Sequence, residues 1–473
     1  MAAWLWACGA AAGVAQTENP LSAIDWLTQT PADPVGLGSG EAQTANAIVM
    51  TPIDVAPLQS TGGYNVGLLD PQAMGFASDF WRDVTADDIV IPTQVPLPVL
   101  ANLRARLILA QGAVSADVVV RRLDAAFASG SLDAAWVMAR SVAAKDPALF
   151  NRAMDIAVLS GHAHDACALW SDHRAITSDP MVRVVCLSLV NDWDAAATVF
   201  VAHETLGDFN DADAALLAAH LDPEMAGNAP APTFSTADMT PLRYWLVESA
   251  GLPRPTQDLG LPYAHAQLAE SSGWKSRLEA AERLIRAGSI PANQLLGLYT
   301  ERRPAASGGV WDRAAAVQNL RRGFAAGSLS AADLDRAWAD LSAANLAGPI
   351  AVAFKDQWAA DMFDDPPPAS LVRFALMAGL GTLADDGTPV WGTVRLQNVD
   401  PTTLAAVQAG QTGQPSQNRL RAPDVAAILA LGGRAANGDL TALTQAMTQL
   451  TAHGQTTLAH QLAIEFMLDQ TDP

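Results

Sequence analysis

The chain has 473 residues, half of them hydrophobic and 16% charged, with a formal net charge of −21. Such an apolar fraction is ample for a large core and argues against a disordered chain. The negative charge repels phosphate, and the basic pairs Arg302-Arg303 and Arg321-Arg322 form no stripe, so no nucleic-acid partner is expected.

The first sixteen residues, MAAWLWACGAAAGVAQ, are small and apolar and turn polar at Gln16. Gly13-Val14-Ala15 places small residues where a signal peptidase reads, so residues 1–15 are expected to be a signal-like segment. The usual basic start is missing, since the first basic residue is Arg82. A lipoprotein anchored at Cys8 and a cytosolic chain are the alternatives. No later apolar run reaches the length of a membrane span, so none is expected once the signal is removed.

Residues 16–83 are rich in Pro, Gly, Thr and Asp and predict an extended, partly disordered arm, with one strand near Ile48–Val55. Short amphipathic helices then begin. Val119, Leu123, Ala126 and Phe127 fall on one helix face, as do Leu132, Ala135, Trp136 and Ala139. Gly130 and Gly161 mark helix stops, and Asp146-Pro147 and Asp179-Pro180 mark starts. Asp133, Asp165 and Asp194 open the second helices of successive pairs, thirty-two and then twenty-nine residues apart. That spacing predicts an all-α fold, an α-solenoid of degenerate tetratricopeptide-like hairpins, with an irregular bundle as the alternative. The first block spans 84–222. A Pro-rich linker follows at 223–241, then a second helical block at 242–380, a long loop at 381–422 with a small hairpin near Val390–Val394, and C-terminal helices at 423–473.

Cys167 and Cys186 lie symmetrically about the loop Ala175–Asp179 between two antiparallel helices, hence at about the same height. A disulfide is the expectation. Two buried thiols, or a zinc site with His162, His164 and His173, remain as alternatives. No catalytic motif is present: GxSxG, HExxH, a phosphate loop and CxxC are all missing, and neither a metal nor a cofactor is called for. Glu270-Ser271 is the one local echo of a lytic transglycosylase, without the pattern that follows in those enzymes, and Asp364-Asp365 abuts three prolines as a helix cap would.

The block Leu296–Gln318, LGLYTERRPAASGGVWDRAAAVQ, supports two readings. In one, Tyr299 and Trp311 pack a junction while Asp312 and Arg313 pair with charged neighbours. In the other it is a polar and aromatic contact patch.

Cys167…Cys186 followed by AAATVF, Leu217–Glu224, AAERLIRAG and LYTERRPAASGGVWDRAAAVQ together resemble a family of exported alphaproteobacterial helical-repeat proteins, sometimes labelled antifreeze glycopeptide polyprotein. The resemblance covers most of 85–360 and implies fold and export only, because that family carries no established activity. No regular Thr array supports ice binding.

The expected function is a periplasmic scaffold that binds an envelope protein or peptide, with Trp136, Trp170, Tyr299, Arg302, Arg303 and Trp311 as candidate contacts. The alternative is a peptidoglycan- or glycan-acting protein using Glu270 or Glu282 as the acid.

Overall fold

At Asp146-Pro147, Asp179-Pro180 and Asp400-Pro401 an aspartate before a proline starts a helix. The Asp146 carboxylate accepts from the backbone N–H of Ala148 and Leu149 at 2.8 and 3.3 Å, and Pro147 supplies the first helical φ. Asp179 does the same for Met181 at 2.9 Å ahead of Pro180. A computed structural model describes residues 64–222, 232–255, 259–269, 271–363, 366–412 and 418–471. The signal-like segment, the strand near Ile48–Val55, Glu270 and Asp364-Asp365 lie outside them.

β1 (Tyr64–Val66) is followed by α1 (Pro98–Leu109), β2 (Gly112–Val114), α2 (Ala116–Ala128), α3 (Leu132–Arg140), α4 (Pro147–Leu159), α5 (Ala163–Asp172), α6 (Pro180–Leu189), α7 (Trp193–Leu206) and α8 (Asp211–Leu221). Next come α9 (Pro241–Ser249), α10 (Leu261–Ala266), α11 (Trp274–Arg286), α12 (Ala292–Glu301), α13 (Val310–Ala326), α14 (Ala331–Ser342), α15 (Ala347–Ala353) and α16 (Ala369–Met377). β3 (Thr382–Leu383), β4 (Pro389–Trp391) and β5 (Val394–Arg395) lead to α17 (Pro401–Gln411), α18 (Ala422–Ala436), α19 (Leu440–Ala452) and α20 (Thr456–Thr471). The fold is all-α, and the described residues add two small antiparallel sheets.

Successive helices pack as neighbours from α2 to α9 and from α10 to α14. Other contacts join distant parts of the chain. α4 also meets α9 and α10, and α1 packs on α18 and α20. Gly130 ends α2 at φ 76°, and a Cβ there would come within 2.5 Å of the Leu284 side chain. This glycine therefore serves both a left-handed helix end and the close approach of α11.

Three stretches hold more regular structure than their composition suggests. The last part of the arm expected at 16–83 to be extended and partly disordered is ordered from Tyr64 onward. Tyr64 pairs with Val114 and Val66 with Gly112. Phe76 and Phe80 stack at 5.0 Å and are fully buried. Trp81 donates through its indole N–H to the Ala110 carbonyl at 3.0 Å. Arg122 clamps this corner, donating to the Ile108 carbonyl at 2.8 Å and the Ala110 carbonyl at 2.6 Å, with its guanidinium 4.6 Å from the Trp81 ring centre. Burial pushes the Arg122 pKa down to about 9. A few aromatic anchors hold a segment that has no periodicity to read.

The expected loop at 381–422 also holds regular structure. β4 and β5 pair where the small hairpin was expected, Val390 with Arg395, and β3 adds a third strand beside β4. α17 is capped by Asp400, which accepts from the Thr403 N–H at 2.9 Å. Its buried residues are Thr403, Val407 and Gly410, too few apolar side chains to show a helical period. Gly410 lets α17 approach α19 so closely that a Cβ would lie 2.8 Å from the Met447 Cβ. The end of the expected linker packs too: Met239 is buried and Thr240 caps α9.

Cys167 on α5 and Cys186 on α6 are bonded, with Cα atoms 4.8 Å apart and both side chains fully buried. The bond removes both sulfurs as zinc ligands. It closes a loop with a sequence separation of 19, which stabilises by about 3 kcal/mol in the chain-entropy model. Urea unfolding with and without reductant is expected to differ by that amount, and the double variant Cys167→Ala/Cys186→Ala is expected to match the reduced protein. Alkylation of both thiols in denatured, unreduced protein from the native host would contradict the bond.

Candidate functional site

Three of the six candidate contact residues belong to the core. Trp136 is 2% exposed and stacks on His162 at 5.3 Å. Trp170 is buried beneath the Arg174 guanidinium. Tyr299 is fully buried, and its hydroxyl donates to Glu282 at 2.7 Å. None of these three can meet a partner on the folded surface. Trp311 is half-buried against Trp274, 5.1 Å away, while Arg302 and Arg303 are exposed. The six therefore form no common surface.

Glu282 is equally closed. It is 2% exposed, and Arg313 forks onto it at 2.8 and 2.6 Å. Arg286 adds a longer contact at 3.3 Å. With both oxygens engaged by donors, no glycosidic oxygen can reach this carboxylate, which removes Glu282 as a general acid.

A different surface stands out on α7. This helix buries only Ala196 and Phe200. Phe200 turns inward and stacks with Phe209 at 6.0 Å. Trp193, Ala197 and Val201 are four residues apart and form an exposed ridge along the edge of the side that carries Phe200, with Trp193 two helical turns from Phe200. Trp193 is 46% exposed, Val201 51% and Leu206 73%, with Val190 at the end of α6 beside them. Isolated exposed apolar residues need no explanation, and α7 differs from the other described helices in exposing a tryptophan together with aliphatic side chains.

The face continues across the next two helices. The Trp193 ring lies 6.2 Å from His220 on α8, and His220 lies 5.4 Å from Trp245 on α9. His220 is fixed between two serines, with Ser188 Oγ 2.8 Å from Nε2 and Ser249 Oγ 3.0 Å from Nδ1. Burial lowers its pKa, which favours the neutral ring as a spacer between the two indoles.

The rim is strongly acidic. From Val184 to Leu242 the chain has no Lys or Arg and nine acidic residues. Asp192, Asp194, Glu204, Asp208 and Asp211 are exposed along or beside α7. Asp213 is spent internally on a two-pronged pair with Arg243, both contacts at 2.7 Å.

Helical spacing alone does not single out Trp193 or Trp245. Periodicity shows which residues share a face, not which face another element covers. The available signal was the long interval without a basic residue around an Asn-Asp-Trp-Asp helix start. No protein-family model, curated protein or solved structure matches this chain.

Proposed function

We propose that this protein is a non-enzymatic helical scaffold of the cell envelope that binds another protein through the exposed ridge of α7. The observation that carries the reading is the exposure of Trp193 and Val201 on one ridge of α7, within a stretch of chain, Val184 to Leu242, that has no Lys or Arg. Its partner is a basic amphipathic segment. The apolar side of that segment covers Trp193 and Val201, and its Lys or Arg residues meet Asp192, Asp194 and Glu204. The hairpin-like packing of α2 on α3, α4 on α5 and α6 on α7 supports a tetratricopeptide-like stack in this part of the chain. The buried disulfide supports an oxidising compartment, in line with the signal-like start and with the resemblance to exported helical-repeat proteins.

The test is site-specific photocrosslinking in the native host, with the crosslinking residue at 193 or 201 and, as a control, at the exposed Val90. Discrete adducts are expected from 193 and 201, mapping to a basic amphipathic segment and weakened by Asp192→Lys/Asp194→Lys. Adducts no different from those at Val90, or only a second copy of this chain, would overturn the reading. A second reading, a glycan-binding protein, is favoured by the Trp193–His220–Trp245 row, because aromatic faces stack on sugar rings. Loss of binding to purified envelope glycan in Trp193→Ala/Trp245→Ala, with no protein adduct, would select it.

A further inference from the structure

Far from α7 in sequence, two cavities of about 660 and 590 Å³ meet at a common wall of Pro98, Ile285, Gly348, Pro349, Met377 and Glu465. Both volumes lie in the range of small-ligand sites. Glu465 is the charged group of that wall. It projects from α20 and is 3% exposed. One carboxylate oxygen accepts from the Val99 N–H at 2.8 Å and the other from the Gln461 amide at 3.0 Å. Among the described residues it makes no ion pair. Each oxygen keeps a lone pair for a further donor. A buried carboxylate without a cation is a costly arrangement, and the open space beside it is where a cation can enter.

The second cavity holds the opposite charge as well. Arg106 lines it, half-buried and, among the described residues, without a carboxylate partner, and desolvation lowers its pKa. Lys355 stands on the same lining, as does His460, whose pKa burial also lowers. Ile290, Pro291, Val352 and Leu458 give apolar walls. Val99, which anchors Glu465, and Arg106 both lie on α1, seven residues apart. Seven residues are two helical turns, about 10 Å along the axis. An extended chain advances about 3.3–3.6 Å per residue, so the two ends of a tripeptide are separated by about the same distance.

We propose that the second cavity binds a short peptide with free termini, about three residues long and apolar in its side chains, whose ammonium group pairs with Glu465 and whose carboxylate pairs with Arg106. A fatty acid would answer Arg106 and leave Glu465 unpaired. A polyamine would answer Glu465 and leave Arg106 and Lys355 unpaired. Only a ligand with both charges at this spacing meets both.

The test is calorimetric titration of the full chain with L-Ala-L-Leu-L-Ala, its N-acetylated form, its C-terminal amide, decanoate and spermidine. The free peptide is expected to bind in a saturable way, and each blocked form at least about tenfold more weakly. Glu465→Gln is expected to abolish the preference for the free amine while leaving the preference for the free carboxylate. Arg106→Gln, on a less buried residue, should do the reverse. Absence of saturable peptide binding, equal binding of free and blocked peptides, or tighter binding of decanoate or spermidine than of the peptide would each overturn the proposal.

Discussion

Glu282→Ala is expected to lower the stability of the protein by about 3–5 kcal/mol, the usual loss when one partner of a buried ion pair is removed. The carboxylate joins three helices. It sits on α11, accepts from Tyr299 on α12 and takes the Arg313 fork from α13. Burial first, and then the Glu282 charge, hold the Tyr299 pKa well above its usual value, so this phenol stays a donor at every ordinary pH. Without Glu282 a buried hydroxyl and a largely buried guanidinium lose their acceptor together. The double variant Glu282→Leu/Arg313→Met removes both charges and is expected to recover much of the loss, since hydrophobic replacement of a buried pair is often neutral. Urea unfolding followed by circular dichroism measures all three proteins. A Glu282→Ala midpoint equal to that of the parent would show that solvent replaces these contacts, and α11–α13 would then not depend on the cluster. Because stability and not turnover is the quantity at risk, the prediction also separates a structural Glu282 from the acid that a glycan-cleaving enzyme needs.

The residues that were legible in the sequence share one property: their signals are local. Asp146-Pro147 and Asp179-Pro180 announce helix starts because capping involves only the next three residues. Cys167 and Cys186 are readable as a facing pair because their positions depend on one short loop. What stayed hidden is set by distant chain. Trp136 and Trp193 occupy comparable helices, yet later packing buries one and leaves the other 46% exposed. Glu465 looks like part of a polar face beside Leu462 and Phe466. α20 is instead packed on several sides: Ala459, Leu462, Ala463, Ile464, Phe466, Met467 and Leu468 are all buried. A single acid inside Ala463-Ile464-Glu465-Phe466-Met467-Leu468 was the clue, because a helix apolar all round has no solvated side to offer a charge. Arg122 was hidden for a similar reason. Its partners are the carbonyls of Ile108 and Ala110, and backbone acceptors leave no mark in a sequence.

Glu465 should make the protein less stable as pH rises through the weakly acidic range. Desolvation pushes its pKa up from 4.5 to about 7, and the hydrogen bonds from Gln461 and Val99 offset this only in part. The folded state therefore holds a proton that the unfolded state releases near pH 4.5. Between those two values the native protein binds more protons, so stability falls with rising pH and levels off above pH 7. A shift of this size corresponds to about 3 kcal/mol across the window. Other groups titrate nearby. Asp155, raised to about 6 mainly by burial, adds to the same trend, while the lowered His220 and His460 oppose it. The charged groups lining the two cavities, Arg106, Lys355, Arg283, Arg286 and Asp469, stay on both sides of the comparison. The informative quantity is thus the difference between the parent and Glu465→Gln, measured by urea unfolding at pH 5 and pH 8. That difference is expected to move by about 3 kcal/mol in favour of the variant at the higher pH, because an amide carries no charge to desolvate. A difference that stays constant would mean that Glu465 is already ionised at pH 5, with a cation or solvent reaching the shared wall. If the difference does move, a peptide ammonium bound there should flatten the parent curve, since it supplies the counter-charge that the folded protein lacks.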